Sequence, residues 1–163
     1  MARHFKLTNE TKINVFGIKL FRIECTIDCK WAKVGDKGGW VEKKENIQGD
    51  NAWVSDWAEV SGSAVVRDSA VVRDWAVVRD WAVVSGSAVV SGSADYCCFQ
   101  SFGSRYGTTT VFRERDGKLR VRCGCFNGTL DEFSAKVEQI HGDNDYGKVY
   151  KAIIEVIKLR FNV

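Results

Sequence analysis

Only two imidazoles occur in the chain, His4 and His141. Imidazole is the side chain whose proton moves most readily near neutral pH, so a general base would be sought there first. His141 falls at the expected C-terminal end of a helix, where the dipole favours an imidazolium, and this structural role is the reading adopted for it. Six cysteines offer thiolates. Cys25 and Cys29 have the spacing of half a structural zinc site, but a second pair would have to come from far along the chain. Cys97-Cys98 and Cys123-x-Cys125 lack that spacing, and Cys123 and Cys125 read as small apolar groups on one strand face. Gly35-Asp36-Lys37-Gly38-Gly39-Trp40-Val41 holds enough glycine to cradle a phosphate. Lys37 precedes the glycine pair and no Ser or Thr follows, so the spacing is not that of a P-loop. A tight bend that lets Trp40 cap the next element is expected instead. No Ser-His-Asp or paired-carboxylate motif is present. No catalytic residue, metal or cofactor is assigned.

Arginine and tryptophan give a second kind of chemistry, the gripping of a planar anion. Arg67, Arg73 and Arg79 recur every six residues, each followed by Asp68, Asp74 or Asp80. Trp57 and Trp75 are 18 apart and should stack on one edge, and Trp81 belongs to another. Arg67, Arg73, Arg79, Trp75 and Trp81 are one candidate ligand surface. Arg113, Arg115, Arg120 and Arg122, with Arg105 nearby, are a second, because alternate residues of a strand share a face. The bland alternative is weak surface pairing of neighbouring charges. A net charge of +3 gives no support for duplex binding.

These side chains are carried by a repeat. Alanine stands at 52, 58, 64, 70, 76, 82, 88 and 94, and valine two places later from 54 to 90. Two places beyond each valine comes Asp or Gly. Six residues turn an ideal helix by about 600°, so alanines so spaced would drift around it. A strand puts i and i+2 on one face. Each Ala-x-Val is therefore read as a three-residue strand with Ala and Val inward, and each following triplet as a turn. Three strands and three turns close a coil of 18 residues. The middle residues point outward in columns, and Trp53, Val71 and Val89 form the most apolar one. Contiguous exposed apolar groups mark contact surfaces, so this column is expected to meet another subunit or a terminal segment of the chain.

The flanks differ. Phe5 to Thr8 and Ile13 to Ile27 read as strands with Gly17 as a turn. Thr108 to Arg115 and Lys118 to Phe126 alternate and are joined by Asp116-Gly117, a hairpin signal. Thr129 to Glu132 is a capping box, so a helix starts at Leu130 with Phe133, Val137 and Ile140 on its apolar stripe, and Gly142 ends it. A second helix is expected from Asp145 to Phe161, burying Val149, Ala152, Ile153, Val156 and Ile157. With 45% hydrophobic residues among 163 the chain can pack a core. No run approaches the roughly 18 apolar residues of a membrane span. The N-terminus lacks a signal-like stretch, so a cytoplasmic location is expected.

The Val54-to-Ala58 and Val72-to-Ala76 spacing resembles the left-handed parallel β-helix of hexapeptide-repeat proteins. The Gly35 to Trp40 lead-in, and the ending Cys123-Gly124-Cys125-Phe126-Asn127-Gly128-Thr129-Leu130-Asp131-Glu132-Phe133 with His141-Gly142-Asp143-Asn144, look like small proteins of that type from bacteriophages and prophages. The resemblance implies a mainly β chain. An N-terminal β-hairpin cap would span 1–45, a left-handed β-helix 46–99, and a hairpin plus two-helix α+β unit 100–163. It implies a homo-oligomer, with a trimer favoured. A phage setting points to a non-enzymatic binding protein in the host cytoplasm, sequestering an anionic nucleotide-like signal or blocking a host defence protein. A coenzyme A-dependent acyltransferase and a virion or assembly component are the alternatives.

Overall fold

The computed structural model describes residues 3–92 and 94–163. It divides the chain into two compact units, 1–95 and 96–163.

The first unit starts with an antiparallel pair, β1 (Phe5–Ile13) and β2 (Lys19–Cys25), followed by β3 (Lys37–Val41). Gly17 supplies the left-handed turn residue at φ 77°. Asn14 Oδ1 accepts from the backbone amides of Phe16 and Ile18, each at 3.0 Å. Seven strands of two residues follow: β4 (Trp53–Val54), β5 (Glu59–Val60), β6 (Val65–Val66), β7 (Val71–Val72), β8 (Val77–Val78), β9 (Val83–Val84) and β10 (Val89–Val90). Strands 18 residues apart pair in parallel, β4 with β7, β7 with β10, β5 with β8 and β6 with β9. The alanines from Ala52 to Ala88 and the valines from Val54 to Val90 of the six-residue pattern are buried.

The turns explain the Asp/Gly alternation. Asp56, Gly62, Asp68, Asp74, Asp80 and Gly86 all have φ between 56° and 68°. That region penalises most side chains, and aspartate is among the few non-glycine residues that tolerate it. Aspartate also holds the next layer: Asp68 Oδ2 accepts from Gly86 N at 3.0 Å, and Asp56 Oδ2 from Asp74 N at 3.3 Å. At Gly62 an added Cβ would lie 3.1 Å from Asp80 N, too close for comfort.

The expected left-handed parallel β-helix with a separate cap is corrected. The chain forms mixed sheets of many short strands, with two helices. The N-terminal strands are not a cap: the sheet order is β1-β2-β3-β5-β8, with antiparallel pairing at one side and parallel pairing at the other. The Gly38-Gly39 pair is inside β3, not in a bend. A Cβ on Gly39 would stand 2.7 Å from Ala58 O, so only a bare backbone fits against the neighbouring strand. The strands are two residues long rather than three. The pattern also ends early: Ala94, the last of the eight alanines, is exposed.

The second unit is a four-stranded antiparallel sheet, β11 (Tyr96–Phe102), β12 (Gly107–Arg113), β13 (Leu119–Cys123) and β14 (Phe126–Thr129), with α1 (Leu130–His141) and α2 (Asp145–Phe161). Thr129 and Glu132 form the capping box, and Gly142 caps the other end of α1. Its core unites Val111, Val121, Phe133, Val137, Ile154 and Ile157. The buried stripe of α2 is Tyr150, Ile153, Ile154, Ile157 and Phe161; Ile153 and Ile157 are buried as expected, but Val149, Ala152 and Val156, also expected inside, face solvent. Among the described residues no helix is long and apolar enough to cross a membrane.

Candidate functional site

The first candidate surface is dispersed. Arg67, Arg73 and Arg79 follow β6, β7 and β8, which belong to three different sheets. Arg73 lies 3.6 Å from Asp74 and donates to Ser91 Oγ at 3.0 Å. Arg79 lies 3.8 Å from Asp80, with its guanidinium 4.2 Å from the Phe16 ring centroid. Trp57 and Trp75 do stack, with centroids 5.6 Å apart and planes 5° from parallel. Trp81 is exposed and Trp75 is exposed, but their turns follow strands of different sheets.

The hairpin arginines are occupied with the fold. Arg113 donates to Gly117 O at 3.1 Å and to Phe161 O at 2.9 Å, which ties the end of α2 to the sheet. Arg120 pairs with Glu114 at 2.9 Å, and that carboxylate holds the guanidinium above its ordinary pKa. Arg115 lies in the turn after β12 rather than on a strand, so it does not share a face with Arg113. Arg115 and Arg122 also have partners within the chain.

The expected subunit column is largely covered by its own chain. Trp53 and Val71 are each 2% exposed and Val89 is half-buried. The His4 ring lies 6.1 Å from Trp53, and His4 Nε2 is 2.7 Å from Ala52 O. Absence of a side chain at Gly38 leaves the space that the Trp53 indole fills. His4 is thus a buried structural group.

What the second unit does form is a cavity of about 590 Å³. Its apolar wall includes Phe126 and Phe133, with centroids 5.3 Å apart, and Tyr150, edge-on to Phe133 at 5.8 Å. The His141 ring lies over Tyr150 at 5.7 Å and 27°. Two exposed cations, Arg105 and Lys136, and two thiols, Cys123 and Cys125, also line it. The elements fix these positions. The capping box starts α1 so that Phe133, Val137 and His141 follow one another along one side, while Gly124, at φ 58°, turns the chain between β13 and β14 and leaves Cys125 exposed. Gly103, at φ 80°, leaves room for Tyr150, whose hydroxyl a Cβ there would strike.

The polar groups of the wall are ordered. Thr109 Oγ1 donates to Cys123 Sγ at 3.2 Å, and Tyr150 Oη lies 3.7 Å from the same sulfur. Burial, then the Cys123 thiol, pushes Tyr150 up to about 12, so its phenol is protonated at neutral pH and can donate. An aromatic-walled pocket with a few convergent polar groups suits a flat ligand with an anionic end. Among the described residues no group of three or more His, Cys, Asp or Glu side chains is gathered to hold a metal ion.

Sequence reasoning placed His141 and the thiols but not this cavity. Phe102, Lys136 and Tyr150 line it and carried no motif. Ile140, expected on the apolar stripe of α1, is instead 58% exposed and borders the cavity rather than the core. No family model matches the chain, and no curated protein matches its sequence.

Proposed function

We propose that the protein is a non-enzymatic binding protein that captures a small, planar, anionic ligand of nucleotide type in the cavity of the second unit. The carrying observation is the pairing of an aromatic wall with Arg105 and Lys136 in one pocket. Its volume is within the roughly 300–1,000 Å³ range of small-molecule sites. A base would lie against Phe126, Phe133 and Ile140, and a phosphate would meet the two cations, which are exposed and cost little to redirect. Stoichiometric capture needs no reaction. In a phage-infected cell it would remove a host nucleotide signal, the setting to which the sequence resemblance points.

Calorimetric titration with a panel of purine and pyrimidine nucleotides tests this. Binding is expected for at least one of them, with loss of about tenfold or more in affinity in Arg105→Glu and Lys136→Glu, since a charge-assisted contact is worth about 1.5–3 kcal/mol. The ligand should also shield exposed Cys125 from alkylation. Flat titrations across the panel, or variants that bind as tightly as the parent, defeat the reading.

A coenzyme A-dependent acyltransferase is the second reading, favoured by one observation: His141, a residue type suited to general base work, stands on the cavity wall. Titration with acetyl-coenzyme A decides it, and no heat of binding removes it.

A further inference from the structure

The outer face of α2 carries an apolar seam that its own unit does not use. Val149, Val156 and Leu159 are 38%, 49% and 79% exposed, and Ala152 between them is exposed too. Their spacing is three, four, three. At about 100° per residue this seam lies roughly 140° around the helix from the buried stripe centred on Tyr150, Ile154 and Ile157. The helix therefore has two apolar faces, and only one is packed.

We infer that this seam pairs with the same seam of a second copy, as a parallel two-stranded helical contact about a two-fold axis. Three features select that occupant. The 3-4 alternation is that of facing coiled-coil positions, with Val149 and Val156 at one and Ala152 and Leu159 at the other. β-Branched residues at the first and leucine at the second favour two strands in parallel. The flanking charges fit too. Glu155 precedes the second valine by one position and Arg160 follows Leu159 by one, so they are five apart. In a parallel pair these are the positions that meet across the interface, and the two-fold axis makes the contact twice. In an antiparallel pair centred on the seam Glu155 would approach the other Glu155. Glu155 makes an exposed i,i+3 pair with Lys158 at 2.9 Å, which is cheap to exchange. Asp145, one turn before Val149, limits the seam at its N-terminal end.

The seam is short, and a contact of this size belongs to the weak, concentration-dependent class. It replaces the Trp53 column as the place where copies meet, and it is independent of what the cavity binds.

Sedimentation equilibrium of the full chain over a series of concentrations is the test. The parent chain is expected to pass reversibly from one copy to two. Val156→Asp with Leu159→Asp should stay at the mass of one chain throughout, with far-ultraviolet circular dichroism unchanged. Glu155→Arg and Arg160→Glu should each weaken association by about tenfold, and the two together should restore it to within about twofold. The charge exchange also covers the case in which the double aspartate variant does not fold. A parent chain that never associates overturns the inference. So does an association that survives the aspartates, or single charge reversals without effect, or a double reversal that does not rescue.

Discussion

Tyr150 and Cys97 keep their protons in the fold well above the pH at which the unfolded chain gives them up. Burial and the Cys123 thiol push Tyr150 from its ordinary 10.0 to about 12. Burial, then Cys98, pushes Cys97 from 9.0 to about 11. For an acid with a raised folded value, the unfolded state releases the proton first, so rising pH draws the equilibrium toward unfolding. The stabilising contribution is thus complete below about pH 9 and is lost progressively between about pH 9 and 12. The urea midpoint of the second unit is expected to fall across that window. Cys97→Ala should flatten the lower part and Tyr150→Phe the upper part. A midpoint that holds steady through both values would show that neither group is shielded from water as the packing implies. The same residue scale explains the turns of the first unit, where four aspartates accept the left-handed conformation and two of them, Asp56 and Asp68, also receive an amide from the next layer.

Elements were legible where a local signal had one reading. The Thr129-x-x-Glu132 box set the start of α1, and Glu132 N donates to Thr129 Oγ1 at 3.2 Å as that motif requires. Thr129→Ala should lower stability by about 1 kcal/mol, seen as a reduced denaturation midpoint with unchanged slope. A change within error would mean that sheet packing, not the cap, fixes the helix start. The range of α2, Asp145 to Phe161, was likewise expected, but its face only in part, through Ile153 and Ile157, because the helix bears two apolar stripes at helical spacing. Periodicity cannot say which stripe meets the core. The ring of Tyr150 and the side chain of Ile154, packed against Phe133 and the sheet, decide it. The six-residue period fixed which alanines and valines point inward, since each layer repeats the same local geometry. It was silent on β3, whose glycines looked like a bend yet are needed because β3 runs so close to Ala58. The cavity was out of reach for the same reason: it is formed by Phe102, Phe126, Lys136 and Tyr150, which are distant in sequence and brought together only by tertiary packing.

On the scale of the whole chain, the two units are stabilised by different side chains. In the first, alanine and valine alternate with turns and each layer is bonded to the next, as by Trp53 N to Ala70 O at 3.0 Å and Val71 N to Ala88 O at 2.9 Å. In the second, one cluster from Val111 to Phe161 joins the sheet to both helices. A methyl group removed from one interior leaves the other interior's contacts intact. Val72 is buried between layers, and its loss to alanine should cost about 2 kcal/mol, from lost burial plus the cavity left behind. Val121 occupies the equivalent place in the second interior. Amide hydrogen exchange resolved by segment separates the two effects, because protection follows the opening free energy of each cooperative unit. Val72→Ala should speed exchange in β4, β7 and β10 by about thirtyfold while β12 and β13 keep their rates. Val121→Ala should do the reverse. If either change accelerated both sets equally, the chain would open as one body. Ligand capture in the second unit would then protect the first as well, and the cavity could not be treated as a self-contained site.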